Sequence, residues 1–356
     1  MKKETGRILT AISLLVLSLL LWWAGKHLDP YMCRILNLIA INAIWAVSLN
    51  LIYGYTGQFS LGHAGFIAIG AYVSSLLTVS PLKKARFFMI EPPIWPISVI
   101  QWPFAPSLIV AVLIATFFGF LIGFPALQLH GDYMAIVTLG FAEVIRVFIM
   151  NLYPITNGAM GIKAVPPYTT PLWSWGLLVF AIFIVKKLGD SSYGRAFKAI
   201  REDEIAAETT GISIFHHKLI AFTIASLLAG LGGALWAHLI CSTDPNAFTF
   251  LLSYQVLVIT VMGGMGSLTG SVIGSTIYVA LAELLRPLDT PTTKIPVLGM
   301  TIQGHPGIRM LVISILFVLI ILFYRRGIMG SNELSWQWLY SKLRPIFKRK
   351  GAEQEK

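Results

Sequence analysis

Long apolar stretches alternate with short polar connections along most of the chain. Most stretches approach the roughly 20 residues that an α-helix needs to cross a hydrocarbon core of about 30 Å. Strands of a membrane barrel would instead alternate apolar and polar residues, which these stretches do not. The pattern predicts an all-α polytopic bundle of about ten transmembrane helices, some of them interrupted. The stretches lie at 8–23, 35–53, 62–80, 107–123, 133–151, 173–187, 218–240, 251–263, 266–285 and 308–324.

Composition places the chain among integral membrane proteins. Of its 356 residues, 56% are hydrophobic and 12% are charged, and the mean hydropathy is +0.74. Soluble domains carry about 25% charged residues. The net charge of +11 would suggest nucleic acid for a soluble protein, but in a membrane protein it reports topology, so we expect no nucleic-acid partner. Cys33 and Cys241 are too few and too far apart for a zinc or iron–sulfur site, and we predict no metal and no cofactor.

The distribution of Lys and Arg predicts how the helices are oriented. With ten crossings, nearly twice as many basic residues fall on the face that carries both termini and the 188–217 loop as on the opposite face. The face richer in Lys and Arg is cytoplasmic, so both termini are predicted to be cytoplasmic. The chain then divides into an N-terminal transmembrane helix with its flanks (1–34), a membrane region (35–324) and a basic cytoplasmic tail (325–356).

Two joins between apolar stretches are short and rich in glycine. The first break covers 54–61 and the second covers 263–266. Such joins mark either a tight turn or a discontinuous helix. Near the first break, Gln58, Ser60 and His63 offer polar side chains beside exposed backbone groups, which could contact a polar substrate. The alternative is a tight turn near the cytoplasmic face.

Glu143 and Arg146 lie three residues apart within the stretch 133–151, and therefore on one face of the predicted helix. Glu143 falls close to the middle of the bilayer, where an ionisable residue is a candidate for a functional site. The alternative is a mutually neutralising pair that packs against a neighbouring helix without meeting a substrate.

The loop 188–217 is the largest hydrophilic segment inside the membrane region. Between Tyr193 and Thr209 its apolar residues recur at roughly helical spacing beside a charged face, and Gly211 fits a helix C-cap. The apolar residues are Phe197, Ile200, Ile205 and Ala207. A short amphipathic helix that ends in a glycine turn can dock into a groove of a soluble partner. The alternative is a solvated loop between helices.

No enzymatic machinery is recognisable in the chain. The phosphate-binding pattern GxxxxGK[ST] is absent, so any ATP that drives transport must be hydrolysed by another chain. No nucleophile with a neighbouring base stands out, and we predict no catalytic residue. A secondary transporter driven by an ion gradient would need titratable residues along its spans, and apart from Glu143 and Arg146 these are nearly absent.

Four strings stand out along the chain: Arg201–Ile212, Gly54–Ala64 with Gly70-Ala71-Tyr72, Gly131–Gly140, and Met262–Ser267. The first is similar to the coupling loop, or EAA-type motif, of ABC importer permeases. Together the four resemble the strings of branched-chain amino acid permeases of the LivM type, which belong to ABC importers. The resemblance runs from about Asn37 to Tyr324 and makes 35–324 a permease domain.

The resemblance implies a multi-pass subunit in a prokaryotic plasma (inner) membrane that works by alternating access. It implies four partners: a second homologous permease subunit, two cytoplasmic ATP-binding subunits and an extracytoplasmic substrate-binding protein. The coupling loop would carry the force of ATP hydrolysis. Its contacts to the ATPase groove would be Arg201, Glu202 and Glu204, while Ala206, Ala207 and Gly211 would permit close approach and a turn.

One departure bears on the substrate. Relatives commonly carry a Gly-Gly-Pro-type sequence before Asn-Gly-Ile, whereas this chain has Thr156-Asn157-Gly158-Ala159-Met160-Gly161-Ile162. Asn157 joins the residues considered for the substrate path. Urea and short-chain amide permeases of the same superfamily look broadly similar, so they are the alternative to a branched-chain amino acid permease.

Overall fold

The computed structural model describes residues 3–323 except 89, 130, 132, 290–293, 298–299, 304 and 306, together with 327–330 and 333. These residues form helices joined by short turns and two antiparallel strand pairs. The helices are α1 (Lys3–His27), α2 (Pro30–Asn50), α3 (His63–Thr78), α4 (Pro81–Phe87), α5 (Phe104–Ala126), α6 (Tyr133–Asn151), α7 (Tyr153–Thr156), α8 (Pro171–Gly189), α9 (Ser192–Glu202), α10 (Glu204–Thr209), α11 (Ile214–Ile240), α12 (Phe250–Gly263), α13 (Leu268–Leu284) and α14 (Ile308–Phe323). The strands are β1 (Ile162–Lys163), paired with β2 (Ser242–Thr243), and β3 (Lys294–Val297), paired with β4 (Met300–Gln303).

Two helices, α2 and α11, form the centre of the bundle. Every side chain of α2 from Ile39 to Asn50 is buried, because α8, α11, α12 and α13 surround it. A helix with neighbours on all sides is expected to be mostly apolar, and the buried residues of α2 are so apart from Asn37, Asn42, Ser48 and Asn50. Small residues bring α11 close to α3, since a Cβ at Gly70 would overlap the carbonyl of Gly230.

The outer helices keep large apolar surfaces exposed. Only 28% of the apolar window of α6 is buried within the chain, and the same holds for α8. Phe117, Phe148 and Phe183 are among the exposed side chains. Apolar surface of this kind suits a helix that meets lipid tails instead of water. The chain is therefore an all-α polytopic membrane protein, as predicted.

Among the described residues, five helical segments are long and apolar enough to cross a membrane, or up to seven if each of two bent pairs is one span. Each bent pair, α3 with α4 and α12 with α13, turns by 118° at its break. The span of α2 begins at Pro30, ahead of its predicted start at residue 35 and inside the predicted 1–34 segment. Most of the predicted tail 325–356 lies outside the described residues.

Turns at the two ends of the helices make separate sets of contacts. At one end, which we call the β1 end, β1 pairs with β2, and the amide of Ile94 donates to the carbonyl of Pro154 at 3.1 Å. At the other, which we call the α9 end, the amide of Ile328 donates to the carbonyl of Met262 at 3.0 Å. These contacts define two faces of the bundle.

Candidate functional site

The segment between α8 and α11 folds as two short helices held against the bundle. In α9 the buried residues are Gly194, Ala196, Phe197 and Ile200. They recur with the spacing of one helical face, and this face packs on the ends of α8 and α11. The predicted amphipathic helix is therefore present, with its apolar side against the membrane helices.

Asp203 divides the predicted helix into two. Its backbone is extended, and its Oδ1 accepts hydrogen bonds from the amides of Ile205 at 2.9 Å and Ala206 at 3.0 Å. An N-cap aspartate satisfies the first amides of a new helix in this way. The expectation that Ile205 shares the buried face of Phe197 and Ile200 is wrong. Ile205 is 76% exposed, because α10 starts afresh with its own orientation.

The outer side of α10 is accessible to a partner, as are Arg195 and Lys198 on α9. Glu202, just before α10, and Ala206, within it, are exposed, whereas Ala207 is buried against the bundle. Gly211 follows α10 with a φ of +86°, a left-handed conformation that glycine adopts without strain. The predicted glycine turn is observed, and contact of this segment with an ATPase stays a prediction.

Two charged residues tie the segment to the bundle. The Oε1 of Glu204 accepts a hydrogen bond from Nζ of Lys218 on α11 at 2.6 Å. The Nη1 of Arg201 donates to the carbonyl of Gly54 at 2.8 Å, and its Nη2 donates to Oε1 of Glu202 at 2.6 Å. Arg201 and Glu204, two of the predicted ATPase contacts, are thus already engaged within the chain.

The two glycine-rich breaks meet beside Arg201. A Cβ on Gly54 would overlap both the side chain of Asn50 and the backbone of Gly266, so this close approach requires glycine. The Nδ2 of Asn50 donates to the carbonyl of Ser267 at 2.8 Å, and its Oδ1 accepts from the amide of Gly266 at 2.7 Å. We call the contact of Asn50, Gly54, Arg201 and Gly266 the α9 junction.

Glu333, beyond α14, lies next to the α9 junction. Its Oε1 accepts from the amide of Leu268 at 2.6 Å, and its Oε2 accepts from the amide of Thr269 at 3.1 Å. A carboxylate at the start of α13 satisfies free amides and opposes the positive end of the helix dipole. Sequence reasoning missed both Glu333 and Asn50. The one signal for Asn50 is an amide side chain at the end of an apolar stretch, next to glycine.

The first break holds buried polar groups without partners. Gln58 is 4% exposed, and its side-chain amide makes no hydrogen bond to the described residues. The Nε2 of His63 lies 2.8 Å from Oγ of Ser48, while its Nδ1 has no partner in that same part of the chain. Ser60 Oγ accepts from the amide of Gly62 at 3.4 Å. Since each unpaired buried group costs about 1–3 kcal/mol, this arrangement favours occupation by water or a polar ligand.

Glu143 and Arg146 form an ion pair on α6. The Nε of Arg146 lies 2.7 Å from Oε2 of Glu143, and the two side chains are 23% and 34% exposed, respectively. The neutralising pair considered from the sequence is therefore present. Because α6 is mostly exposed within this chain, the pair lies at its periphery and not in its core. Contact of Glu143 with substrate stays a prediction.

Asn157 closes a turn at the β1 end. Its φ is +63°, and its Nδ2 donates to the carbonyl of Gly161 at 2.7 Å. Gln58, Ser60 and His63 belong to the opposite, α9 end. The residues predicted for a substrate path therefore do not form one cluster but are distributed between the two faces of the bundle.

Comparison with known proteins places this arrangement in a family. The family model described as "Branched-chain amino acid transport system / permease component" matches residues 31–321. No solved structure matches the chain.

Three curated relatives show how far the similarity extends. The chain is 34% identical over 289 residues to the high-affinity branched-chain amino acid transport system permease protein LivM of Salmonella typhimurium, covering 72% of this chain and 64% of that protein. It is 24% identical to a probable LivM of Methanocaldococcus jannaschii, covering 70% and 82%. It is 23% identical to the permease protein LivH of Escherichia coli, covering 82% and 92%.

Proposed function

Since the chain belongs to the family of permease components of branched-chain amino acid transport systems, we propose that it is the membrane-spanning permease subunit of an ABC importer. In a prokaryotic plasma (inner) membrane it translocates branched-chain or related amino acids that an extracytoplasmic substrate-binding protein delivers. It pairs with a second, homologous permease subunit. Two cytoplasmic ATP-binding subunits hydrolyse ATP, so this chain itself is not an enzyme.

The observation that carries this proposal is the connection from α10 to both breaks. The outer side of α10 is exposed, with Ala206 accessible to a partner. The neighbouring Arg201 donates to Gly54, and Gly54 packs against Gly266. A displacement of the α9–α10 segment is therefore passed directly to the ends of α2, α12 and α13. A solvated loop without a partner would need no such connection.

Alternating access follows from this connection. Closure of the ATP-binding subunits pushes on Glu202 and the exposed side of α10. Glu204, held to Lys218, and Ala207, buried against the bundle, make α10 move with α11. The permease pair then changes from outward to inward access, since packed interfaces switch between discrete arrangements. Gly211 supplies the turn that lets the segment return to the membrane.

Ten crossings with both termini in the cytoplasm agree with the contacts at the two ends of the bundle. In that topology the 54–61 break, the α9–α10 segment, the 263–266 break and the chain after α14 share the cytoplasmic face. All four contribute to the contacts at and beside the α9 junction. The turns that contain β1 and β2 share the opposite face, and these two strands pair with each other. The 1–34, 35–324 and 325–356 segments keep their proposed roles.

The first break is proposed as the inner part of the substrate path. Gln58 and His63 carry unpartnered polar atoms in a buried position, and Ser60 lies between them. The backbone from 57 to 62 is neither helix nor strand, so its groups can also bind a polar substrate. Glu143 on α6 and Asn157 at the β1 end are the outer candidates.

Two alternatives remain testable within the same experiment. A urea or short-chain amide permease would have the same coupling segment and a different substrate. An ion-coupled secondary transporter would need no ATP-binding subunit, but its membrane helices would need more titratable groups than Glu143 and Arg146.

The test is uptake by vesicles that contain this chain, its partner permease, the ATP-binding subunits and the binding protein. We expect ATP-dependent uptake of labelled leucine that isoleucine and valine inhibit and urea does not. Inhibition by urea alone would favour the amide permease. Uptake without the ATP-binding subunits, driven by an ion gradient, would overturn the proposal.

A further inference from the structure

A cleft of about 390 Å³ opens at the β1 end between α2, α13 and α14. Its volume is in the range of small-molecule sites, roughly 300–1,000 Å³. Charged side chains line it, among them Arg34 on α2, Glu283 on α13 and Arg309 on α14. These residues come from distant parts of the sequence, and the fold brings them to one opening. In the proposed topology this opening faces the side from which substrate arrives.

In the cleft, one cation and one carboxylate oxygen make no hydrogen bond to the described residues. The Oε1 of Glu283 accepts from the hydroxyl of Tyr31 at 2.6 Å and from Nη1 of Arg286 at 2.8 Å. Its Oε2 makes no hydrogen bond within the described residues. Arg309 is paired with Asp289 at 3.1 Å. Arg34 is exposed and makes no hydrogen bond or close ion pair in the same part of the chain, although its charge acts on Glu283 across the cleft. An acceptor for a cation and a donor for an anion therefore line the same space.

The floor of the cleft is polar and its side extension is apolar. On the floor, Nε2 of Gln255 donates to Oδ1 of Asn42 at 2.8 Å. The cleft shares Gln255 and Met310 with a second cavity of about 320 Å³, whose walls include Val258 and Phe317. Amide groups at this depth suit water or a polar ligand and not an acyl chain. The apolar extension suits an aliphatic side chain.

We propose that this cleft binds a zwitterionic α-amino acid with an aliphatic side chain as it enters the permease. Arg34 binds the carboxylate, Oε2 of Glu283 accepts a hydrogen bond from the ammonium group, and the side chain extends toward Met310 and Val258. A zwitterion matches both signs of charge in the cleft, whereas Glu283 and the polar floor oppose an anionic phospholipid. This inference rests on the proposed function, whose substrate class it places at a site within this chain.

Direct binding of labelled leucine to the purified complex, without its binding protein, tests the proposal. We expect Arg34→Gln and Glu283→Gln each to weaken binding about tenfold or more, as the loss of a charge-assisted hydrogen bond implies. Lys163→Gln removes an exposed charge at the β1 end outside the cleft, and it should bind leucine like the wild type. Leucinamide, which lacks the carboxylate, and 4-methylpentanoate, which lacks the ammonium group, should both compete poorly.

The controls separate this site from the proposed function and from lipid. Because Glu283 also holds Tyr31 and Arg286, Arg34→Gln is the decisive variant: Arg34 makes no contact of this kind that folding could require. If the wild-type complex takes up leucine but Arg34→Gln binds leucine as well as the wild type does, the proposed site in the cleft is wrong, while the proposed permease function is unaffected. If Arg34→Gln lost bound phosphatidylglycerol but bound leucine like the wild type, the cleft would be a lipid site, and the proposed amino acid site would be wrong. Failure of the wild-type complex to take up leucine would overturn the proposed function itself.

Discussion

The two ends of the bundle differ in how tightly their elements pack and in how many of their polar groups are hydrogen-bonded. At the α9 junction, glycines bring backbones into contact, and Asn50 and Arg201 use their polar atoms to hold separate elements together. At the β1 end, the cleft between α2, α13 and α14 is open, and Arg34 lines it without a hydrogen bond to the described residues. Tight, hydrogen-bonded packing can transmit a displacement, whereas an open cleft lined by charged side chains can bind a ligand. The two ends therefore suit different tasks, force transmission at the α9 end and ligand binding at the β1 end.

The largest effect is expected from filling the α9 junction. Gly54→Val places a branched side chain where Asn50 and the backbone of Gly266 already lie. Because the obstacles include backbone, we expect a loss of about 3 kcal/mol or more in stability and loss of uptake. Thermal unfolding of the purified protein measures the first quantity.

Gly140→Val is the matched control for that substitution. A Cβ at Gly140 on α6 meets nothing within 4 Å in the chain, so the same added volume should leave the unfolding temperature nearly unchanged. Equal behaviour of the two valine variants would mean that the α9 junction is not tightly packed.

The second prediction tests whether a residue at the α9 end also contacts substrate. Gln58→Leu removes a buried amide without partners among the described residues, so stability should stay equal or rise by up to about 2 kcal/mol. If Gln58 contacts substrate, uptake should fall about tenfold even though the protein is no less stable. The exposed Gln128 provides the control, Gln128→Leu. Wild-type uptake by Gln58→Leu would remove Gln58 from the path.

The smallest effect concerns the cap that divides α9 from α10. Asp203→Ala removes an oxygen that accepts from the amides of Ile205 and Ala206, which typically costs about 1 kcal/mol. We expect hydrogen exchange of those two amides to rise about fivefold, with little change in uptake. Asp190→Ala, at an exposed aspartate after α8, should leave their exchange unchanged. Exchange as slow as in the wild type would show that α10 is held by its packing alone.

The sequence predicted the helices well because their signal is local. Apolar runs long enough to span a membrane mark α2, α5 and α11 directly, and a glycine such as Gly211 marks a turn. The break between α9 and α10 at Asp203 also has a local cause, the N-cap. The apolar residues keep a helical spacing across Asp203, however, so the sequence predicted one continuous helix. This prediction placed Ile205 on the wrong face.

The α9 junction and the cleft could not be predicted from the sequence, because both are formed by contacts between residues that are far apart along the chain. Asn50 and Gly266 are more than 200 residues apart, and their hydrogen bond follows from how α2 and α13 pack. Arg34 on α2 and Glu283 on α13 are about 250 residues apart, and only the packing of the helices brings both to one cleft. Membrane helices of similar hydrophobicity can pack in many ways, so the pattern that identifies them does not choose their neighbours.

The most direct test of the central claim measures leucine uptake and ATP hydrolysis in the same vesicles for Arg201→Gln. Arg201 links the α9–α10 segment to Gly54, and Arg195→Gln removes an equivalent exposed charge from the same helix. We predict that Arg201→Gln lowers the ratio of leucine transported to ATP hydrolysed at least about fivefold, as loss of a charge-assisted hydrogen bond implies, while Arg195→Gln preserves it. An unchanged ratio in Arg201→Gln would contradict the claim that the α9 junction couples ATP hydrolysis to transport.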